Sequence, residues 1–149
     1  MKPINLFFEK IFSPFKPYAH YLLRLTLGIS FFLHGYNKLP INEGFINWLG
    51  SQNVLLPEIT SYLVAWGEIL SGIGIILSGL IVKILPDFSN LLTRLSGGVI
   101  CVIMICALTI AHSDWGILFG ERGKVLFASE QLFLLTLGLY FLLVGSNNE

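Results

Sequence analysis

Four apolar stretches constrain this chain more than any other feature. They run over about residues 18–38, 58–82, 91–112 and 125–145, each near the roughly 20 residues that cross a ~30 Å hydrocarbon core. Inside such a core every backbone N–H and C=O has to be bonded within its own segment or a closed barrel. The short alternating runs of a barrel strand are absent, so all four stretches are expected as helices. Composition agrees: of 149 residues, 54% are hydrophobic and 12% charged, where a soluble domain carries about 25% charged residues. The expected fold is all-α, an integral membrane four-helix bundle forming one domain over residues 18–145, preceded by a short interfacial segment, 1–17.

The breaks between stretches are marked. Pro40 follows the first and Pro57 introduces the second. Pro86-Asp87 punctuates a turn before the third, with Ser89 or Asn90 available as N-cap. Residues 1–17 contain Glu9, Lys10, Pro14 and Pro17 and are not followed by a small-residue cleavage site, so they do not read as a signal peptide. Phe7, Phe8, Ile11, Phe12 and Phe15 interleave with lysines, the pattern of a segment lying in the membrane interface. Lys2, Lys10, Lys16, Lys83 and Arg94 fall on one side of the spans, against Lys38, Arg122 and Lys124 on the other. That excess predicts both termini in the cytoplasm, with Trp48 and Trp115 as interfacial anchors in the opposite loops.

Charge and cysteine content exclude several functions. Nine basic and nine acidic residues give a net charge of zero, with no basic run, so no nucleic-acid partner is expected. Cys101 and Cys106 are five residues apart, roughly 140° around a helix. They read as packing residues and form no thiol pair.

An ionisable residue inside a span needs a partner or a function, and Arg24, His34, Glu68, Arg94, His112 and Glu130 all fall within spans. Helical phase indicates where they point. Glu68 shares a stripe with Ser61, Ala65, Ser71, Gly72 and Gly79, small residues that let helices approach closely. Ser30, His34 and Lys38 lie on one face of the first span; Arg24, Gly28 and Gly35 lie on the next. Arg94 and His112, 18 residues and five full turns apart, share a face with Gly98, Cys101 and Ile105. Glu130 shares a face with Leu134, Leu137 and Phe141. His34, Glu68, His112 and Glu130 are thus expected in one half of the membrane, lining one cavity, with Arg24 and Arg94 towards the other side.

Two histidines and two carboxylates in an apolar wall suit a quinone head group, whose carbonyl oxygens accept hydrogen bonds and whose reduction needs proton donors. No HxxE or HxxxH pair occurs within a span, so no metal site is expected. His34 and His112 as axial haem ligands fit less well, because they differ in depth. The catalytic set expected here is His34, Glu68, His112 and Glu130, with Arg24, Lys38 and Arg94 binding the ligand. Two rivals stand beside it: a non-catalytic anchor in which Arg24 or Arg94 pairs with Glu68 to staple helices, and a solute or proton pathway. The lack of inverted repeats counts against the second.

Arg24-Leu-x-x-Gly28 followed by His34-Gly35-x-x-Lys38 resembles the first-span signature of the DoxX family of small four-helix membrane proteins. Glu68 ahead of Ser71-Gly72, Leu77 to Leu80, Arg94, Ala111-His112 and Glu130 continue the likeness. The family takes its name from a subunit of a quinol oxidase and thiosulfate:quinone oxidoreductase system. The resemblance implies a component of the bacterial inner membrane linked to quinone-dependent electron transfer, with a partner redox subunit, and leaves the oligomeric state open.

Overall fold

In the computed structural model, which describes residues 2–146, the apolar stretches are helices, and the described residues contain no strand. Met1, the first residue of the expected interfacial segment, and residues 147–149 at the C-terminal end lie outside that range. The first helix, α1 (Lys2–Phe12), has every side chain exposed. It leads through a 3-10 turn into α2 (Lys16–Tyr36). A short helix, α3 (Glu43–Ser51), precedes α4 (Pro57–Ile81) and α5 (Pro86–Cys106). After a wide turn and a loop, α6 (Glu130–Val144) completes the order.

Several boundaries differ from expectation, each for a local reason. Pro86 and Asp87 open α5 instead of forming the turn before it. Proline costs nothing at the first helical position, where its missing N–H has no partner anyway, and an acid there favours the positive end of the helix dipole. The N-cap is then Leu85, not Ser89 or Asn90. Helix α6 starts five residues later than expected, because Ser129 caps it by accepting from the Leu132 N–H at 3.2 Å. Helix α3 had no counterpart in the sequence reading. Asn42 nucleates it by accepting from Phe45 N–H at 2.8 Å, and Leu49 anchors it.

Length and apolarity together qualify two segments as candidate membrane spans, Pro57–Ile81 and Pro86–Ala111. Helix α2 is long enough but more polar, carrying Lys16, His20, Arg24 and His34. Helix α6 is apolar but has only 15 residues, a rise of roughly 22 Å.

The four longest helices pack α2 on α4, α4 on α5 and α5 on α6, and α6 touches α2 again. Their shared core is Leu27 and Phe31, Ile75, Ile100 and Met104, Leu134 and Phe141. Two glycine contacts set the spacing. A Cβ on Gly72 would stand 2.6 Å from the Gly28 carbonyl oxygen of α2, and one on Gly97 would stand 2.7 Å from that of Gly138 on α6. Outside this core the polarity is inverted. Leu22, Leu63, Leu70, Leu80, Leu95, Val102 and Phe133 are exposed, whereas Ser61, Ser71, Ser78, Ser89, Thr93 and Ser96 are buried. An apolar surface of this extent has no counterpart on a typical soluble monomer.

Arg24 ties the helices together. Its side chain is buried, and Nη1 donates to Ser78 Oγ at 2.6 Å, the Ile75 carbonyl at 3.0 Å and Thr93 Oγ1 at 3.1 Å. Nη2 reaches the Gly145 carbonyl at 3.3 Å, Nε donates to His20 Nε2 at 2.9 Å, and Cζ lies 4.9 Å from the Phe141 ring centroid. One guanidinium therefore bonds α4, α5 and the C-terminus of α6 from its place on α2. Because His20 Nε2 accepts, the ring proton resides on Nδ1, 3.3 Å from the Tyr140 hydroxyl, and the imidazole is neutral.

Two outcomes are expected from this packing. Gly72→Ala destabilises the fold by about 1–3 kcal/mol through overpacking against the α2 backbone, seen as a lowered midpoint in thermal unfolding in detergent. Arg24→Lys keeps the charge but loses the planar fork, at a cost of about 3 kcal/mol. A melting curve unchanged from the wild type would refute that role.

Candidate functional site

Lys38 and Glu68 form a close ion pair. Lys38 Nζ donates to Glu68 Oε2 at 2.6 Å and to the His34 carbonyl at 3.2 Å. The side chain of Glu68 is only 3% exposed, as its stripe on α4 predicts: Ser61, Ala65, Ser71, Gly72 and Gly79 are all buried with it. Lys38 gains its position from the end of α2. It lies two residues past Tyr36, the last helical residue, and turns back over the helix to bond the carbonyl four residues earlier.

His34 stands one turn further into α2. Its Nε2 lies 3.1 Å from Glu130 Oε1, and Ser30 Oγ donates to the same oxygen at 3.2 Å. Glu130 is the first residue of α6, where the helix dipole favours a carboxylate. Between these groups lies an open cavity of about 400 Å³ lined by Ser30, Leu33, His34, Asn37, Lys38 and Glu130. Helices α2, α4 and α6 thus bring together His34, Lys38, Glu68 and Glu130, all four of them sequence-predicted. Ser30 and Asn37 join them as further polar residues of the lining.

The remaining expected residues are elsewhere. Arg24 does not pair with Glu68; it sits ten residues before His34 on α2, about 15 Å along the axis, among neutral acceptors. Arg94 does not pair with Glu68 either. Its Nη1 donates to the Leu142 and Leu143 carbonyls at 2.8 and 2.9 Å and caps the C-terminus of α6. His112 is not among the lining residues of the cavity. The helical phase that would align it with Arg94 is lost because α5 ends at Cys106 and continues as a π-turn, Ala107–Ala111. The His112 ring packs on Trp115 instead, with centroids 3.9 Å apart. No group of three or more potential metal ligands occurs among the described residues.

Sequence inspection passed over one buried ionisable residue, His20. Its spacing of four residues from Arg24, which puts both on one helical face, is the signal that could have found it.

Because Glu68 is buried, Lys38→Met leaves a charge without its partner and is expected to destabilise the protein by about 3–5 kcal/mol. The double variant Lys38→Met/Glu68→Gln removes the stranded charge and is expected to regain most of that loss in the same detergent melts. Equal stability of the single and double variants would show that the pair is not coupled.

Comparison with known proteins adds an independent line. The DoxX family model matches residues 19–85, the segment that holds Arg24, His34, Lys38 and Glu68. The chain is also similar to CatD of Bacillus subtilis (strain 168), named as a candidate oxidoreductase, with 38% identity over 87 residues. That match covers 58% of this chain and 54% of CatD, so it spans about half of the relative's length. No solved structure matches the chain. Residues 19–85, from the start of the buried arginine cluster to the turn after α4, match the DoxX family, and over that segment the chain is DoxX-like.

Proposed function

We propose that this chain is a four-helix bundle of the bacterial cytoplasmic membrane, with both termini on the cytoplasmic face, and that it serves as the quinone-interacting subunit of a membrane oxidoreductase. One observation carries the reading: a cavity of about 400 Å³ into which α2 and α6 bring a serine hydroxyl, an imidazole, an ammonium and a carboxylate beside the apolar wall of Leu33. Its volume falls in the range of about 300–1,000 Å³ that holds small molecules, and its lining is polar at five of six positions, with Leu33 the apolar one. A quinone head group offers carbonyl acceptors to Ser30, Lys38 and His34, and its two-electron reduction consumes two protons. The name of CatD, an oxidoreductase candidate, supports redox chemistry in general.

In this reading His34 and Glu130 bind the head group and hold a proton for it, while Lys38 donates to a carbonyl oxygen and Glu68 keeps the ammonium in place. Electrons come from a partner redox subunit. Arg24 and Arg94 act on the fold and do not contact the ligand. The exposed apolar residues of α2, α4 and α5 face lipid, and the lysine excess on the α1 side orients the chain.

A second reading has its own observation. The bonds from Arg24 to three other helices and the Arg94 cap on α6 are what a non-catalytic anchor subunit also requires.

Quinone titration of the purified protein separates them. His34→Ala and Glu130→Gln are each expected to weaken binding about tenfold, or about 1.4 kcal/mol, while His112→Ala binds as the wild type does. Wild-type affinity in both cavity variants would overturn the quinone site and leave the anchor.

A further inference from the structure

Three titratable side chains line the cavity, Glu130, His34 and Lys38, and a fourth, Glu68, lies behind Lys38; their exposures fall in that order. Glu130 is 58% exposed and His34 30%; Lys38 is 26% exposed and Glu68 3%. They are also joined in that order. Glu130 Oε1 meets His34 Nε2 at 3.1 Å, the His34 carbonyl holds Lys38 Nζ at 3.2 Å, and Nζ meets Glu68 Oε2 at 2.6 Å. Two acid–base pairs therefore stand in series, one at the mouth and one beneath it, with His34 and Lys38 lining the same cavity.

The two carboxylates differ in access: Glu130 is the most exposed of the four groups, whereas Glu68 is buried and reached only past Lys38, which opens on the same cavity as His34. Ser30 strengthens the contrast, because its hydroxyl fixes the same Glu130 oxygen that faces the imidazole. Among the described residues, none besides Glu130, His34 and Lys38 brings a titratable side chain to the lining. Arg24 and Arg94 are bonded elsewhere, and α5 contributes none.

We propose that this series is a proton-transfer path, in which the Glu130–His34 pair at the mouth loads and unloads the buried Glu68 through Lys38. A proton taken up at Glu130 or His34 Nε2 passes across the cavity, which is wide enough for a bridging water, to Lys38. The ammonium gives one of its protons to Glu68 Oε2 and regains one from the imidazole side. One N–H bond breaks and one O–H bond forms at Glu68, Lys38 ends as an ammonium, and no electron moves. The path does not depend on quinone, so it stands or falls apart from the oxidoreductase reading.

The test uses the full chain in lipid nanodiscs without quinone. The carboxyl stretch of Glu68 is followed by infrared spectroscopy after an acid pH jump and assigned by its loss in Glu68→Gln, or by its shift in Glu68→Asp if the first variant does not fold. The band is expected to rise promptly in the wild type. In His34→Ala, and in the conservative surface variant Glu130→Gln, it is expected to rise to a similar final amplitude but about a hundredfold more slowly, the low end of what a positioned acid–base group contributes. A wild-type rate in both variants overturns the proposal. So does a Glu68 band that never appears across the accessible pH range, since the pair is then a fixed structural bridge.

Discussion

A single buried guanidinium sets the architecture. Arg24 lies in α2 with 2% of its surface exposed, and among the described residues no carboxylate lies within ion-pair distance of it. A cation so placed is costly unless its donors are satisfied. Here the acceptors are two hydroxyls, two backbone carbonyls and an imidazole, drawn from α2, α4, α5 and the end of α6. The C-terminus of α6 supplies partial negative charge, which both Arg24 and Arg94 meet. Satisfying one side chain thus fixes four helices relative to each other.

The candidate site depends on that arrangement without sharing residues with it. Glu130 opens α6 and Gly145 ends it, so the bonds that hold the far end of the helix to Arg24 and Arg94 also fix where its first carboxylate stands. The glycine contacts between α2 and α4 act similarly. Gly35 lies against Ala65 and Glu68, which brings the Lys38 side chain within reach of the buried carboxylate. The molecule has a structural polar cluster at one end and an open polar cavity at the other. They are separated along α2 by ten residues.

The inward face of α4 was legible in the sequence, because its small residues and Glu68 recur at helical spacing and nothing interrupts the helix. The same holds for Ser30, His34 and Lys38 on α2. The expected Arg24–Glu68 or Arg94–Glu68 pairing failed, since charge complementarity does not state depth: it is Lys38, just past the end of α2, whose ammonium reaches Glu68, while both arginines bond to the end of α6. His112 failed for a different reason. Counting from Arg94 assumes one regular helix, and a five-residue π-turn changes the phase before the histidine is reached.

The sequence by itself determined that this chain is helical, that its exterior is apolar, and that a few ionisable residues stand inside. Those properties follow from composition and local periodicity. Only the tertiary structure decided which of those residues meet. Partner choice depends on helix register and on where each helix ends, and these are set by close contacts such as Gly28 with Gly72 and by the bonds of Arg24. It was packing, not spacing, that gave Glu68 a lysine and left Arg24 among neutral acceptors.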